Sequence, residues 1–273
     1  MADWFSGDVV ANGIRIHYYR TGGDKPPLVL SHGATDSGLC WTPVAKLLES
    51  DYDVIMPDAR GHGLSEAPVA GYNSEERAAD LAEFIQVLRL EKPAIGGHSM
   101  GAQTSFYLAA SYPGLVRCAI LEDPVFRTET APPSEAEREA RAAQMRKADE
   151  ERKAMGREAL IAQCRVQHPA WAEDELGPWA DSKLQVSVNF VGALRTPERL
   201  TWREALPRVT CPILLITADP EKGAIVTPEA AQKAVALQPL VKVVRLPGAG
   251  HNIRREQFAG YMQAVRSFLA SNH

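Results

Sequence analysis

The sequence has no long hydrophobic run, no surplus of positive charge and no paired cysteines, and each absence excludes a class of protein. No apolar stretch approaches the roughly 20 residues needed to cross a bilayer, and the N-terminal MADWFSGDVV lacks the basic start and apolar segment of a signal peptide. With 30 Lys and Arg against 34 Asp and Glu, the net charge is −4, which disfavours nucleic acid as a partner. The four cysteines form no CxxC pair, so neither a zinc site nor a disulfide framework is indicated: Cys40, Cys118, Cys164 and Cys211. We therefore expect a cytoplasmic protein with no metal, other cofactor, nucleic-acid partner or membrane partner.

What the 273 residues do contain is an alternation of short apolar runs with helix-length segments. VVANGIRIHYYRTG predicts a hairpin with a tight turn at Asn12-Gly13. Six further runs predict buried strands: PLVLSH, YDVIMPD, KPAIGGHS, RCAILED, CPILLITAD and VKVVRLP. Helices are predicted from Ser74 to Arg89, with Ser74 as the N-cap and Arg77 exposed, and over residues 101–112 and 256–270. This alternation predicts an α/β fold with a mostly parallel sheet.

One segment interrupts the alternation. Residues 127–203 contain no strand pattern, but a Pro132-Pro133-Ser134 stop and N-cap followed by a charged helical run and several tryptophans. We interpret this segment, called the insertion below, as a helical cap over the sheet, with 1–126 and 204–273 forming the core. Most of its charged residues are expected to be solvated.

The heptapeptide GGHSMGA places Ser99 between Gly97 and Gly101. It follows a predicted strand and precedes a predicted helix, which is the setting of a nucleophile elbow. The sharp turn leaves no room for side chains, and the helix start supplies backbone N–H groups and positive dipole. A glycine-rich turn with an incidental serine is the alternative.

A serine nucleophile needs a base. His251 lies in LPGAGHNIRRE, a loop that follows the last predicted strand, where α/β folds place their site residues. His98 adjoins Ser99, but neighbouring residues in a strand point apart. An oxyanion hole needs two backbone donors, and we expect them to be the amides of Met100, after the nucleophile, and Ala34, in the loop LSHGATDSG. His32 is then a structural turn residue.

The chain resembles the α/β-hydrolase family through SHG, PDARGHGLS at residues 57–65, GHSMG and GAGH, in that order over nearly its full length. The resemblance implies an eight-stranded, mostly parallel sheet with helices on both faces, a helical cap after strand six and a Ser-acid-His triad. It also implies that Asp58 and Arg60 belong to a structural loop.

The acid of the triad has several candidates. Most members of the family place it after strand seven, where ITADPEKG offers Asp219 and Glu221. The alternative lies after strand six, where AILEDPVF offers Glu122 and Asp123. We favour Asp123, because its separation from Ser99 along the sequence is similar to that in hydrolases with a strand-six acid. In addition, two acids at the end of an otherwise apolar strand suggest a functional role for one of them.

Serine at position 99 disfavours epoxide and halide chemistry, which uses a carboxylate nucleophile. The predicted function is hydrolysis of a small-molecule carboxylic ester or lactone through an acyl-enzyme. An amide, or less favourably a C–C bond, is the alternative substrate, and a non-catalytic ligand-binding relative is the alternative class. A homodimer is left open. Arg254 and Arg255 could meet a substrate carboxylate, although ion pairs are favoured. Six apolar side chains are candidates for the pocket or for plain core: Trp171, Trp179, Trp202, Phe190, Met145 and Met155.

Overall fold

A computed structural model of the protein describes residues 4–126, 134–193 and 198–272. Its strands are β1 (Phe5–Ala11), β2 (Ile14–Arg20), β3 (Pro27–Ser31), β4 (Asp53–Pro57), β5 (Ala94–His98), β6 (Cys118–Glu122), β7 (Ile213–Thr217) and β8 (Val241–Arg245). Its helices are α1 (Thr42–Leu48), α2 (Ser74–Val87), α3 (Met100–Ser111), α4 (Glu135–Met155), α5 (Arg157–Gln167), α6 (Glu173–Gln185), α7 (Val188–Val191), α8 (Trp202–Ala205), α9 (Pro228–Leu237), α10 (Ile253–Glu256) and α11 (Phe258–Ala270). Short 3₁₀ turns occupy Gly38–Trp41, Leu206–Arg208 and Pro220–Lys222.

The strands form one sheet in the order β1-β2-β4-β3-β5-β6-β7-β8. Only β2 runs against its neighbours; every other pairing, from β4 to β8, is parallel. The predicted hairpin is present, with Asn12 and Gly13 both at positive φ, as a tight primed turn requires. The predicted mostly parallel, eight-stranded sheet is therefore confirmed.

Helices cover both faces of the sheet. On one face α2, α3, α8 and α9 enclose a core that includes Phe84 and Phe106. On the other, α1 and α11 enclose a second core around Trp41 and Tyr261. Strands β4 to β7 are buried along their whole length, whereas β8 is partly exposed because it forms the edge of the sheet.

Between β6 and β7 the described residues form the helices α4 to α8. Ser134 caps α4 through a capping box with Glu137, as the sequence predicts, while Pro132 and Pro133 lie outside the described residues. The charged run is divided at Gly156 (φ 78°) into α4 and α5. The division of the chain into a core and a cap with the bounds given above stays a prediction.

Two details of α2 differ from the sequence prediction. Asn73, not Ser74, is the N-cap, since its side chain accepts the hydrogen bond of the Glu76 amide at 2.8 Å. Arg77 is buried rather than exposed. Its guanidinium faces α3 and donates to Thr104 Oγ1 at 3.1 Å, to Ser74 Oγ at 2.9 Å and to the carbonyl of Tyr72. A helix can bury a cation where polar groups bond it, as Thr104, Ser74 and the Tyr72 carbonyl bond Arg77, and periodicity alone does not show such partners.

Candidate active site

The loop between β5 and α3 is a strained, tightly packed turn with Ser99 at its apex. Ser99 has φ 51° and ψ −111°, a backbone conformation that residues other than glycine rarely adopt. A Cβ on Gly97 would lie 2.3 Å from the carbonyl carbon of Gly101, and one on Gly101 would lie 2.0 Å from the carbonyl oxygen of Ser31. Glycine is therefore required on both sides of Ser99, because backbone occupies the space that a side chain would need. Strain of this kind persists only where the surrounding packing enforces it.

Strand register brings Asp123 next to this turn. His98 and Glu122, the last residues of β5 and β6, are paired, so Ser99 and Asp123 each come directly after a paired position on neighbouring strands. The Ser99 amide donates to the Glu122 carbonyl at 2.9 Å, which extends the pairing by one residue. Asp123 also has positive φ, at 45°, so the segments after β5 and after β6 both bend as they leave the sheet.

His251 reaches the same point from the edge of the sheet. The loop between β8 and α10 passes over the end of β7, where the Asp219 amide donates to the Ala249 carbonyl at 3.0 Å. His251 Nδ1 lies 2.6 Å from Asp123 Oδ2. The acid is fully buried, while the His251 side chain is 30% exposed and Ser99 is half-buried. A buried acid behind a partly accessible imidazole is the arrangement of a base held by a carboxylate.

The Asp123 carboxylate also accepts hydrogen bonds from two backbone amides. Ile225 N lies 2.8 Å from Oδ2 and Val226 N lies 2.9 Å from Oδ1. These donors fix the orientation of the carboxylate towards the imidazole.

The other candidate acids have different partners. Asp219 accepts from the Gly248 amide and from Arg245 Nη2, each at 2.8 Å, and these contacts hold the pKa of Asp219 below its usual value. It thus supports the loop that carries His251 without touching the imidazole. Glu122 is bonded to Arg254, whose backbone amide lies 2.9 Å from Oε1. Glu221 lies in the exposed 3₁₀ turn after Asp219.

The predicted oxyanion donors lie on the two sides of the elbow. Met100 is the first residue of α3, where a backbone amide has no carbonyl one turn before it to bond within the helix. Ala34 is exposed in the loop after β3, which runs beside β5 with Ser31 paired to Gly97. The Gly33 carbonyl, in the same peptide group as the Ala34 amide, accepts from the Asp36 amide at 3.1 Å and bonds His32 Nδ1 at 2.8 Å.

The histidines of this region, apart from His251, are buried supports. His32 Nε2 accepts from the Ala59 amide at 2.9 Å, and His62 Nε2 accepts from the Thr35 amide at 3.2 Å. His98 Nε2 bonds the carbonyl of His251 at 2.9 Å. Burial lowers the pKa of all three imidazoles, and it holds the pKa values of His62 and His98 well below the usual value of histidine. No pattern in the sequence indicates the contact of His98 with the backbone of His251.

We expect His62 to make stability depend on pH. Its folded-state pKa lies well below the unfolded value of about 6.5, so unfolding takes up a proton, and stability is lost as pH falls below about 6.5. His62→Gln keeps an acceptor for Thr35 and removes this proton. The free energy of unfolding is measured with urea between pH 5 and 8, and its slope against pH gives the number of protons taken up on unfolding. At low pH the wild type is expected to take up about one proton more than the variant. Parallel curves for the two proteins would contradict this.

A network of buried charges surrounds the loop that follows His251. Arg254 is fully buried, with Nη1 3.3 Å from Glu122 Oε2 and its guanidinium 4.2 Å from the ring centre of Trp41. Arg255 Nε lies 3.0 Å from Glu175 Oε2, and its Nη2 lies 3.2 Å from Asp36 Oδ2. Both arginines thus form ion pairs inside the protein, the role that was predicted over contact with a substrate.

The apolar candidates of the insertion divide into two groups. Phe190 and Met145 pack in a cluster with Met100, the residue after Ser99, and so belong to the surroundings of the site. The other candidates lie elsewhere: Trp171 and Trp179 pack between α5 and α6, Trp202 stacks on Phe126 in the core, and Met155 is exposed.

No group of three or more His, Cys, Asp or Glu is arranged to hold a metal ion in residues 4–126, 134–193 and 198–272. Across the same described ranges, no helix combines the length and the apolar character that crossing a membrane requires.

Comparison with known proteins decides the family. The model of the alpha/beta hydrolase family matches residues 28–261, which is most of the chain. The chain belongs to this family. The sequence is 30% identical over 268 residues to N-formylmaleamate deformylase of Pseudomonas putida, covering 96% of each protein. It is also 30% identical over 260 residues to 2-(acetamidomethylene)succinate hydrolase of Mesorhizobium japonicum, covering 92% of this chain and 90% of the relative.

The fold of this alpha/beta hydrolase agrees with solved relatives. The crystal structure of an N-formylmaleamic acid deformylase from Pseudomonas putida superimposes with a TM-score of 0.76 at 26% identity, covering 96% of this chain and all of that one. The expected membership and fold class are therefore confirmed, and the chain is similar throughout its length to hydrolases.

Proposed function

We propose that this hydrolase cleaves a carboxylic acid derivative of a small molecule through an acyl-enzyme on Ser99. The observation that carries the proposal is the 2.6 Å contact between His251 Nδ1 and the buried Asp123 carboxylate, beside a serine on a strained turn. A carboxylate on Nδ1 leaves Nε2 free of a proton, and Nε2 is then the atom that can act as a base.

In the proposed mechanism, His251 Nε2 removes the proton of Ser99 Oγ, and Oγ attacks the carbonyl carbon of the substrate. The amides of Met100 and Ala34 stabilise the oxyanion, a contribution of about 3–4 kcal/mol for each donor in enzymes of this type. His251 then gives its proton to the leaving group. A water molecule, deprotonated by the same imidazole, attacks the acyl-enzyme and releases the acid and free Ser99.

For the bond that is cleaved, we propose a small N-acyl amide, with an ester or lactone as the second candidate. The sequence alone favours the ester or lactone. The amide is supported by the two relatives described above, each 30% identical over more than nine-tenths of this chain, since their names denote an N-formyl and an acetamido compound. Ser99, His251 and Asp123 would serve either bond, because both reactions pass through a tetrahedral oxyanion.

Two measurements test this proposal. A fluorophosphonate is expected to label one residue, and mass spectrometry of the peptides should locate the label on Ser99. Matched pairs of N-acetyl and O-acetyl, and of N-formyl and O-formyl, derivatives of the same small carboxylic acid are then compared by kcat/KM, beside a γ-lactone. Because esters are intrinsically the more reactive, a higher kcat/KM for the amide of a pair would reflect recognition of the amide in the transition state. A higher value for every ester, or for the lactone, would favour the second candidate.

A further inference from the structure

A lysine of the insertion is bonded to the loop that carries the Ala34 amide. Lys183, on α6, donates from Nζ to the Thr35 carbonyl at 2.8 Å, to Thr35 Oγ1 at 3.0 Å and to Asp36 Oδ1 at 2.7 Å. These three acceptors match the three hydrogens of the ammonium group. The side chains of Lys183 and Asp36 are 7% and 5% exposed, so water competes little for the contacts.

The loop needs such a support, because its backbone is strained at Thr35. Thr35 has φ 62°, a left-handed conformation that is unfavourable for a β-branched residue. Its amide is held by His62 Nε2 and its carbonyl by Lys183 Nζ, so both peptide groups that flank this residue are fixed from outside the loop. Strain at a functional position persists where such contacts over-determine it.

The Asp36 contact carries this constraint to the oxyanion donor. The Asp36 amide closes a turn on the Gly33 carbonyl at 3.1 Å, and the peptide group of that carbonyl contains the Ala34 N–H. The position of Asp36 therefore sets the direction in which Ala34 N–H points. Its carboxylate is held by Lys183, Arg255 at 3.2 Å and Arg254 at 3.7 Å. Burial alone would raise the pKa of Asp36, but these cations outweigh burial and keep the pKa well below its usual value.

We propose that Lys183 is a positioning residue for catalysis: by bonding Thr35 and Asp36 it orients the Ala34 amide towards the oxyanion. This inference rests on the proposed function and assigns part of the oxyanion geometry to the insertion. The competing explanation is that Lys183 only attaches α6 to the sheet. The two explanations differ in what they predict for the transition state, since a structural attachment changes stability but not the rate of the folded enzyme.

The test measures kcat and KM for p-nitrophenyl acetate and the inhibition constant of a boronic acid, which forms a tetrahedral adduct with serine. Lys183→Met is expected to lower kcat about 30- to 100-fold with KM within threefold, and to weaken the boronic acid by a similar factor, because a small displacement of an oxyanion donor is costly. Lys183→Arg keeps the charge beside Asp36, so it guards against loss of folding, but a planar guanidinium cannot reproduce three bonds from one nitrogen. We expect about a tenfold loss of kcat in this variant.

Lys153 offers a matched control, because it is a lysine of the insertion that bonds one carboxylate and one carbonyl within the insertion. Its Nζ lies 2.8 Å from Asp149 Oδ2 and 2.6 Å from the Val186 carbonyl oxygen. Lys153→Met is expected to leave kcat, KM and the inhibition constant within twofold of the wild type.

The outcomes separate this inference from the function on which it rests. A rate that depends on Ser99 but is unchanged in folded Lys183→Arg and Lys183→Met would overturn the role of Lys183 alone. Loss of kcat without any change in the boronic acid constant would also overturn it, because the effect would then not act through the oxyanion. A wild-type rate in Ser99→Ala would instead overturn the proposed function and, with it, the positioning role.

Discussion

Replacing Ser99 by alanine is expected to lower the rate of p-nitrophenyl acetate hydrolysis by about 10⁴-fold or more. The substitution removes the atom that would form the acyl-enzyme and leaves the elbow intact, because alanine is smaller than serine and the same packing of Gly97 and Gly101 enforces the turn. The binding of substrate should change little. The loss is therefore expected in kcat, measured under conditions in which the far-ultraviolet circular dichroism of the variant equals that of the wild type.

Ser105→Ala is the matched control for this experiment. Ser105 lies on α3, the helix that follows Ser99, is fully buried, and donates its hydroxyl to the Gly96 carbonyl at 3.3 Å rather than facing the site. Its loss should cost some stability and leave kcat within about threefold, as for a hydrogen bond remote from the chemistry. Equal rates for wild type and Ser99→Ala would support the alternative of a non-catalytic ligand-binding member of the family.

The parts of the fold that were predictable are those that depend on neighbours in the sequence. Buried strands appear as short apolar runs, and Asn12-Gly13 forms its turn without help from the rest of the chain. The elbow is local at Gly97, where Gly101 and Ala102 of the same motif occupy the space of a side chain, whereas Gly101 meets the backbone of Ser31 at the end of β3. By contrast, the predictions that Arg77 is exposed and that Ser74 is the N-cap of α2 were wrong. Whether a polar side chain such as Arg77 is buried is decided by its partners on other elements, here Thr104 on α3.

The support of the candidate site depends on contacts that no local pattern contains. Lys183 and Asp36 are separated by 147 residues, and Arg255 and Glu175 by 80. In the sequence, each of these residues looks like an ordinary charged residue of the surface. They meet because α6 and the chain after His251 both pack beside the end of β3, and their charges then compensate one another where water is excluded.

The choice between Asp123 and Asp219 depended partly on the sequence and partly on contacts that only the structure shows. The sequence, through its resemblance to the family, narrowed the candidates for the triad acid to residues after β6 and β7. It could not show that Asp219 is already bonded to Gly248 and Arg245. The assignment of Asp123 to catalysis stays a prediction, and the geometry makes the expected result of its substitution sharp.

Asp123→Asn is expected to lower kcat by about 10⁴-fold at neutral pH. The asparagine side chain has almost the same shape and tolerates the positive φ of 45° at this position, so the fold should be retained. Its oxygen would accept from the amides of Ile225 and Val226, which in the wild type donate to the carboxylate. The amide nitrogen would then face His251 Nδ1 and donate to it. That tautomer carries its proton on Nε2, so the imidazole could no longer take the proton of Ser99.

Asp219→Asn supplies the comparison, because the same chemical change is made on a carboxylate that supports the His251 loop without touching the imidazole. We expect it to lower the unfolding temperature by several degrees through its weakened bonds to Arg245 and Gly248, with kcat within about tenfold of the wild type. The tautomer itself is observable: the downfield proton resonance of His251 Nδ1–H in the wild type should be absent from Asp123→Asn and present in Asp219→Asn. If Asp219→Asn lost several orders of magnitude in kcat while Asp123→Asn did not, the acid of the triad would lie after β7, and the contact between Asp123 and His251 would be structural.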